Sequence, residues 1–389
     1  VTGAALQNMK AHLTLSRKSF EATDQAGIKR AKKSAAQEAK EAMQALGYYH
    51  AEVKIFDHSK VLVNTGEKKK HSIIVAVEPG PVTTLDSVRV NVVGEGLRNK
   101  ILTAQIAKNK PSVGSRLSHA VYGQLKSSLL NSAYAEGYLD AKYTIHQLRV
   151  DRNSNQADIE LQLTTGPQYI FGAITFKQNI LNADVAQRLI AIKEGQPFKS
   201  TDLIAMQLTI SDSGYFSSID VTTDRDAKNG TTLPVLVAAE ASKKHHYDVS
   251  VGYGTDTGPR VGVGAKYTRV NKRGHSAELD LDLAAQTQQF DASYIMPGKT
   301  LSEFSDVSAH VASDDVNDTR SEEYRLAYSW HDQAWGGART RTLSVLQEQW
   351  EFGDAGQQSA TLILPTIDWA NEKQDGALFV NNGYSLTAR

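Results

Sequence analysis

The glycine-rich segment from Gly252 to Gly258 is the first part of the sequence that could do chemistry, because it resembles a dinucleotide-binding loop. Such a loop needs the spacing Gly-x-Gly-x-x-Gly and a following helix whose first N–H groups bind the pyrophosphate. Gly252 and Gly254 have this spacing, but Gly258 comes one residue late, and no helical pattern follows. Small residues and a turn explain the segment better than a nucleotide site.

Other candidates for catalysis or metal binding are weaker. The pair His245-His246 could bind a metal ion, but neither His-x-x-Glu-His nor Glu-x-x-His occurs in the sequence to supply further ligands. The sequence has no Gly-x-Ser-x-Gly elbow, no phosphate loop and no cysteine. We therefore expect a protein that is not an enzyme and has no cofactor and no metal site.

From residue 245 onward, apolar and polar residues alternate, which is typical of strands with one face in water and one in an apolar medium. The clearest case has leucines at 279, 281 and 283 between acidic residues at 278, 280 and 282. We expect the leucines to face lipid and the carboxylates to face a wet lumen. After a turn at Gly258-Pro259 the alternation resumes, and about nine strands are expected in all. Their length, and Tyr and Trp near their ends, favour an outer-membrane barrel over a soluble sandwich.

The first 243 residues contain a unit that occurs three times. In each copy a helical pattern ends at a Gly-Tyr pair and an alternating strand follows; the pairs are Gly47-Tyr48, Gly137-Tyr138 and Gly214-Tyr215. Glycine there is typical of a left-handed helix C-cap. Gly-Pro turns between strands, at Gly80-Pro81 and Gly166-Pro167, mark the joints between copies. The unit is predicted to be β-α-α-β-β, with the opening strand missing from the first copy.

Composition narrows the class of protein further. The sequence has 389 residues, which favours several domains. The 43 basic and 43 acidic residues balance, so nothing favours nucleic acid as a partner. No apolar run approaches the roughly 20 residues of a membrane-spanning helix.

This order of elements, with Gly-Tyr closing the second helix, resembles the POTRA domain. Three copies before a barrel resemble the TamA branch of the Omp85 superfamily. The resemblance implies an α+β fold of POTRA repeats followed by an antiparallel transmembrane β-barrel, here partial. The expected domains are residues 1–80, 81–166 and 167–243 for the repeats and 244–389 for the first part of the barrel.

The same resemblance implies a sixteen-stranded barrel, for which about nine strands are too few. The only Arg-Gly pair is Arg273-Gly274, followed by His275 instead of the Phe or Tyr of the family's lumen loop, and the last residues carry no aromatic assembly signal. We therefore expect the sequence to be incomplete at its C-terminus, and to begin late or after a removed signal peptide.

The function implied is assembly or translocation of outer-membrane proteins, with the repeats in the periplasm and the barrel in the outer membrane. Nascent β-segments would bind the sheet edges after each Gly-Tyr pair, and the first barrel strand would be the lateral gate. Its glycines would weaken strand pairing. The candidate edge residues are Val53, Ile55, Tyr143, Ile145, Ile219 and Val221, and the gate residues are Tyr247, Val249, Ser250, Val251, Gly252, Tyr253 and Gly254.

The partners implied by the resemblance are the lipid bilayer, unfolded outer-membrane or autotransporter proteins, and a TamB-like protein anchored in the inner membrane. Two alternatives stay open. One is a two-partner-type secretion pore, which usually has two POTRA copies. The other is a passive porin-like channel with a periplasmic extension, which the tandem α/β repeats disfavour.

Overall fold

The computed structural model describes residues 4–13, 25–59, 71–224, 226, 228, 230–255, 258–316, 319–352, 356–374 and 382–389. The fold divides into two compact units. The first comprises Val1–Ile170 with Pro197–Ser200, and the second comprises Phe171–Gln196 with Thr201–Arg389. No helix in the described ranges is both long enough and apolar enough to cross a membrane.

The first repeat packs two helices on a two-stranded antiparallel sheet. Its buried α2 face includes Ala35, Ala39, Ala42 and Met43, at the spacing of a single helical stripe. Alanine side chains let the helix lie close to the sheet, where Val53, Val75 and Val77 pack against the stripe. The elements are α1 (Ala4–His12), α2 (Gln25–Gln44), β1 (Glu52–Ser59) and β2 (His71–Glu78).

The second repeat has the complete β-α-α-β-β order. Its last strand is central, because β5 pairs in parallel with β3 and antiparallel with β4. Leu125, Leu129 and Ala133 of α4 lie one turn apart and are fully buried. They join the clusters that contain Ile159, Leu161 and Leu163 of β5. The elements are β3 (Thr84–Val93), α3 (Lys100–Asn109), α4 (His119–Ala135), β4 (Lys142–Asp151) and β5 (Gln156–Thr164).

The glycine that ends α2 fixes the joint between the first two repeats. Gly47 is left-handed, with φ at +84°, and its carbonyl oxygen accepts a hydrogen bond from the Thr83 N–H at 2.8 Å. The Thr83 carbonyl in turn accepts from the Leu117 N–H at 2.9 Å. A Cβ on Gly47 would lie 2.6 Å from the Leu117 carbonyl oxygen. The backbone of one repeat therefore sits directly on the next.

The glycine that follows α4 repeats this arrangement within the first unit. The Gly137 carbonyl accepts from the Tyr169 N–H at 2.9 Å, and the Tyr169 carbonyl accepts from the Phe198 N–H at 2.8 Å. Gly137 has φ at +88°, and a Cβ there would collide with the Phe198 carbonyl oxygen. The two joints thus share one backbone pattern.

The third repeat again has a central last strand, in the order β6-β8-β7. Its core is built from large apolar side chains, among them Phe171, Met206 and Ile210, which are essentially fully buried. The elements are β6 (Ile170–Lys177), α5 (Ala183–Arg188), α6 (Ser200–Asp212), β7 (Phe216–Thr223) and β8 (Thr232–Ala241).

The rest of the second unit is one antiparallel sheet, which has nine strands within the described residues and pairs each strand with its sequence neighbours. The predicted count of about nine is therefore confirmed. The strands are β9 (His245–Gly254), β10 (Gly258–Tyr267), β11 (Ser276–Ala284), β12 (Thr287–Pro297), β13 (Phe304–Val316), β14 (Thr319–Ala334), β15 (Gly337–Phe352), β16 (Gln357–Gln374) and β17 (Gly383–Ala388).

The predicted turn at Gly258-Pro259 is wrong. Both residues already belong to β10, where Gly258 pairs with Gly254 and Pro259 with Tyr253. Proline lacks an N–H donor, so it is tolerated at the start of a strand, where few ladder bonds are lost. The connection between β9 and β10 is therefore shorter than the sequence suggested.

Register separates the two faces of this sheet. Leu281 stands beside Val263 on β10 and Phe290 on β12, whereas Asp280 stands beside Gly264 and Asp291. Because side chains alternate along each strand, one face is an apolar row and the other is a row of carboxylates. Such a sheet suits a boundary between lipid and water.

We predict that spin labels at Leu281 and Asp280 will report opposite environments in lipid bilayers. The label at 281 should collide more with oxygen, which concentrates in the hydrocarbon. The label at 280 should collide more with a water-soluble nickel chelate. Power-saturation electron paramagnetic resonance measures both, and the chain has no native cysteine to compete for labelling. Equal water access at the two positions would contradict the assignment of faces.

We also predict that Gly47→Ala will loosen the first joint. A side chain there adds the overlap with the Leu117 carbonyl to the strain of a left-handed residue, so unfolding should become easier by about 1–3 kcal/mol. Gly114→Ala is the matched control, since Gly114 has φ at +80° but open space around its Cβ position.

Pulsed electron resonance between labels at Lys33 on α2 and Gln124 on α4 measures the joint directly. The distance distribution should broaden for Gly47→Ala and stay narrow for Gly114→Ala. Equal distributions in the two variants would show that the carbonyl contact does not fix the joint.

Candidate functional site

The predicted gate residues all lie on β9, which is an edge of the nine-stranded sheet in the described part of the chain. Every residue from His245 to Gly254 pairs with β10 on one side, and no described strand pairs on the other. One row of β9 backbone N–H and C=O groups is therefore free to bond an added strand.

The two faces of β9 differ. Tyr247, Val249, Val251 and Tyr253 share the apolar face and are 66–81% exposed. Ser250, Gly252 and Gly254 alternate with them on the polar face. Gly252 and Gly254 contribute no side-chain packing to the pairing with β10, which weakens a strand by roughly 0.5–1 kcal/mol per glycine relative to alanine.

Asp248 on β9 is a residue that the sequence analysis did not single out. It pairs with Gly264 on β10, and a Cβ on Gly264 would collide with the Asp248 carboxylate. Gly262 similarly leaves room for Ser250 and Asp282, whose oxygens would lie 2.5 and 2.7 Å from a Cβ there. The glycines of β10 thus leave space for the polar side chains of the neighbouring strands. In the sequence, the alternation of these glycines with Val261 and Val263 could have indicated this space.

The third Gly-Tyr pair anchors the start of β9. The Tyr215 carbonyl accepts from the Ser242 N–H at 2.9 Å, in the link between β8 and β9. The Tyr215 hydroxyl donates to the Gly274 carbonyl at 2.6 Å, in the turn between β10 and β11. Burial raises the pKa of Tyr215, against an opposing effect of Arg188, so the hydroxyl stays protonated and able to donate.

Two further bonds hold the third repeat to the turns of the sheet. The Asn182 N–H donates to the Lys272 carbonyl at 2.8 Å, and the Arg188 guanidinium donates to the Gly298 carbonyl. A side chain on Gly274 would meet the Tyr215 hydroxyl at 2.6 Å, which explains the glycine. Sequence reasoning missed these contacts because their partners are far apart in the chain.

The other predicted site residues lie on edge strands. Three strands, β1, β4 and β7, each pair on one side only within the described sheets. They carry, in that order, Val53 and Ile55, Tyr143 and Ile145, and Ile219 and Val221. β4 and β7 both contain a register shift near their start, between Tyr143 and Ile145 and between Phe216 and Ser218. Such bulges blunt an edge against uncontrolled pairing.

The six predicted edge side chains are half-buried, and Val53 and Tyr143 pack against the cores of their repeats. Tyr143 donates to the Lys126 carbonyl at 2.8 Å, and burial together with Tyr122 raises its pKa. A bound segment would meet the edge backbone and the exposed side chains that alternate with these residues. Those exposed residues are Lys54, Phe56, Thr144, Ser218 and Asp220.

The histidine pair is divided between different surroundings. The ring of His245 packs on Tyr267 with centroids 4.7 Å apart, and His246 pairs across the strand with Lys266. In the described residues no group of three or more His, Asp or Glu is arranged to hold a metal ion.

Family models match two parts of the chain. Residues 1–79 match the model described as POTRA domain TamA domain 1. Residues 169–238 match the POTRA model described as surface antigen variable number repeat. The first and third repeats are therefore POTRA domains.

The fold is also similar to solved structures. BamA from Haemophilus ducreyi lacking POTRA domains 1–3 is 10% identical with a TM-score of 0.61, covering 78% of this chain and 62% of that one. The chain thus spans about three fifths of that protein's length. CdiB from Acinetobacter baumannii is 10% identical over 76% of this chain and 59% of that one, with a TM-score of 0.41, too low to add to the assignment.

POTRA domains thus precede a large antiparallel sheet with the fold of part of the BamA barrel. We conclude that the chain is a member of the Omp85 superfamily, an outer-membrane protein whose POTRA domains lie in the periplasm.

Proposed function

We propose that this protein assembles or translocates outer-membrane proteins by exchanging β-strands at β9, without catalysing a chemical reaction. The observation that carries the proposal is the position of β9 at the edge of the nine described strands. No described strand pairs with its outer side, while Gly252 and Gly254 limit the stability of its pairing with β10 on the other side. An incoming strand can be bound there through main-chain bonds that require little of its sequence.

The POTRA domains would supply the first binding surface. The edges of β1, β4 and β7 expose backbone groups of the same kind, so an unfolded β-segment could bind them before it reaches β9. The bulges in β4 and β7 keep such binding short and reversible. Weak, repeated contacts suit a factor that must release its substrate.

Within the superfamily we assign the protein to the TamA branch. The match of residues 1–79 to domain 1 of TamA supports this assignment, as does the presence of three α/β repeats. The assignment brings with it autotransporters as substrates and a TamB-like partner in the inner membrane. Its first test is binding of a purified TamB-like protein to the chain, compared with BamA as a control.

Photo-crosslinking tests the role of β9. Benzoylphenylalanine replaces Val251 on β9 or Val261 on β10, which are register partners on the same face. A strand added to β9 would lie about 4.8 Å from it but nearly 10 Å from β10. We predict that an unfolded outer-membrane β-barrel polypeptide will form adducts strongly at 251 and weakly at 261. Equal yields at both positions would argue against addition at the edge.

A disulfide provides the functional test in the complete barrel. Ser250→Cys paired with a cysteine in the last barrel strand should block substrate assembly, and reduction should restore it. Each single cysteine is the control. Unchanged assembly with the seam fully crosslinked would exclude lateral opening and leave the POTRA edges, or a secretion pore, as the active path.

A further inference from the structure

One cation is buried where the sheet meets the third repeat. Arg269 follows β10 and is 8% exposed, and it is the only Arg, Lys, Asp, Glu or His among the described residues that are buried to this degree. Its Nη1 atom is inaccessible to solvent and has no hydrogen-bond acceptor within the described structure. A buried guanidinium normally has a carboxylate or several carbonyl partners, because desolvating it costs several kcal/mol.

Four more cations share the two segments around Arg269. Lys243 and Lys244 lie in the link between β8 and β9, and Lys272 and Arg273 lie in the turn between β10 and β11. Residues 242–246 and 268–275 contain no Asp or Glu. No ion pair of the described structure includes any of these five cations. Neither segment supplies a carboxylate to balance their charge.

Hydrogen bonds hold the two segments together and order the turn. The Thr268 N–H donates to the Lys244 carbonyl at 2.9 Å, and its hydroxyl donates to the Lys243 carbonyl at 3.0 Å. The Val270 N–H donates to the His275 carbonyl at 2.7 Å, and the Asn271 carboxamide accepts from the Arg273 N–H at 2.9 Å. The cations thus lie on an ordered turn. A ligand that binds there does not have to order the backbone first, which lowers the free-energy cost of binding.

Nearby titration is consistent with a positive local field. His275 closes the same turn, and its pKa is lowered by burial and by Arg273. Its Nδ1 contacts the Tyr294 hydroxyl at 2.9 Å. The histidine therefore stays neutral more readily and adds no further positive charge near neutral pH.

We propose that Arg269, with Lys243, Lys244, Lys272 and Arg273, forms a binding site for a phosphoryl group. A phosphate carries enough charge to balance several cations, and a planar guanidinium matches its oxygens. The site lies at the end of the sheet that joins the third repeat. For a barrel in the outer membrane this is the periplasmic boundary, so the phosphoryl group can belong to a phospholipid headgroup or to free phosphate.

The test measures thermal unfolding of the full chain in a phosphate-free detergent, with and without inorganic phosphate. The variants are Arg269→Met, which keeps an unbranched apolar stem but removes the guanidinium, and Lys299→Met as a control. Lys299 is an exposed cation in the next turn at the same end of the sheet, so both variants change the net charge equally.

We expect phosphate to raise the melting temperature of the native chain and of Lys299→Met, and to leave Arg269→Met unchanged. Without phosphate, Arg269→Met should melt at or above the native temperature, because it removes an unpaired buried charge. A stabilising Arg269 would give the opposite result and overturn the proposal. Equal loss of the phosphate effect in Lys299→Met would also overturn it, since binding would then follow net charge alone.

Nanodiscs distinguish the two sources. The quantity compared is the stability of the native chain minus that of Arg269→Met. If the headgroup is the ligand, this difference should be larger in discs of phosphatidylglycerol than in discs of a phosphate-free galactolipid. If free phosphate is the ligand, the difference should appear in galactolipid discs only when phosphate is added. If neither the lipid headgroup nor free phosphate stabilises the native chain, the site is refuted. If polyglutamate binds more tightly than both, the site binds acidic peptides instead, and the proposal of a phosphoryl ligand is wrong.

Discussion

The contact of a left-handed glycine with the backbone of the next repeat is the constraint on which the first unit depends. Gly47 and Gly137 end their helices in a conformation that costs other residues about 1–2 kcal/mol, and each leaves space for a carbonyl where a Cβ would stand. The freed glycine carbonyl then accepts a bond from the linker, and the linker carbonyl accepts one from the following repeat. A chain of backbone bonds is less tolerant of rotation than a contact between flexible side chains. The backbone at each of these two joints is therefore held in a defined conformation.

The third copy departs from this pattern. Gly214 also has a positive φ, but the space at its Cβ position is open. The Ser242 N–H, in the link to β9, donates to the Tyr215 carbonyl instead of to the glycine carbonyl. Besides the backbone bond from Asn182 to Lys272, side chains make contacts here through the Tyr215 hydroxyl and the Arg188 guanidinium. A single neutral hydrogen bond contributes only about 1 kcal/mol. The junction beside β9 thus depends more on individual side chains than the joints within the first unit do.

Much of this architecture could be predicted from sequence because it depends on local periodicity. The alternation of leucine and aspartate around Leu281 requires a strand with two unlike faces, and Gly-Tyr after an apolar stripe requires a capped helix. The central position of β5 and β8 could not be predicted in the same way, since it arises from pairing between segments about 70 residues apart in β3 and β5. The partner of Tyr215 was also beyond reach, because Gly274 lies 59 residues away. For the candidate site, the strands could be identified from the sequence. The exposed side chains along them could not, because exposure depends on which face of each sheet the helices cover.

The two ends of β9 differ in the strength of their pairing with β10 and in the positive charge near them. The POTRA-side end of that strand is tied by backbone bonds between Lys244 and Thr268, whereas its far end contains Gly252 and Gly254. An antiparallel pair with one fixed end and one weak end separates from the weak end, because each bond broken there leaves the rest of the ladder intact. A ligand that neutralised the cations around Arg269 would strengthen the fixed end without touching the weak one. Anion binding and strand exchange would then act on opposite ends of the same strand, and occupancy of the cation cluster would bias β9 to open from Gly254 toward His245.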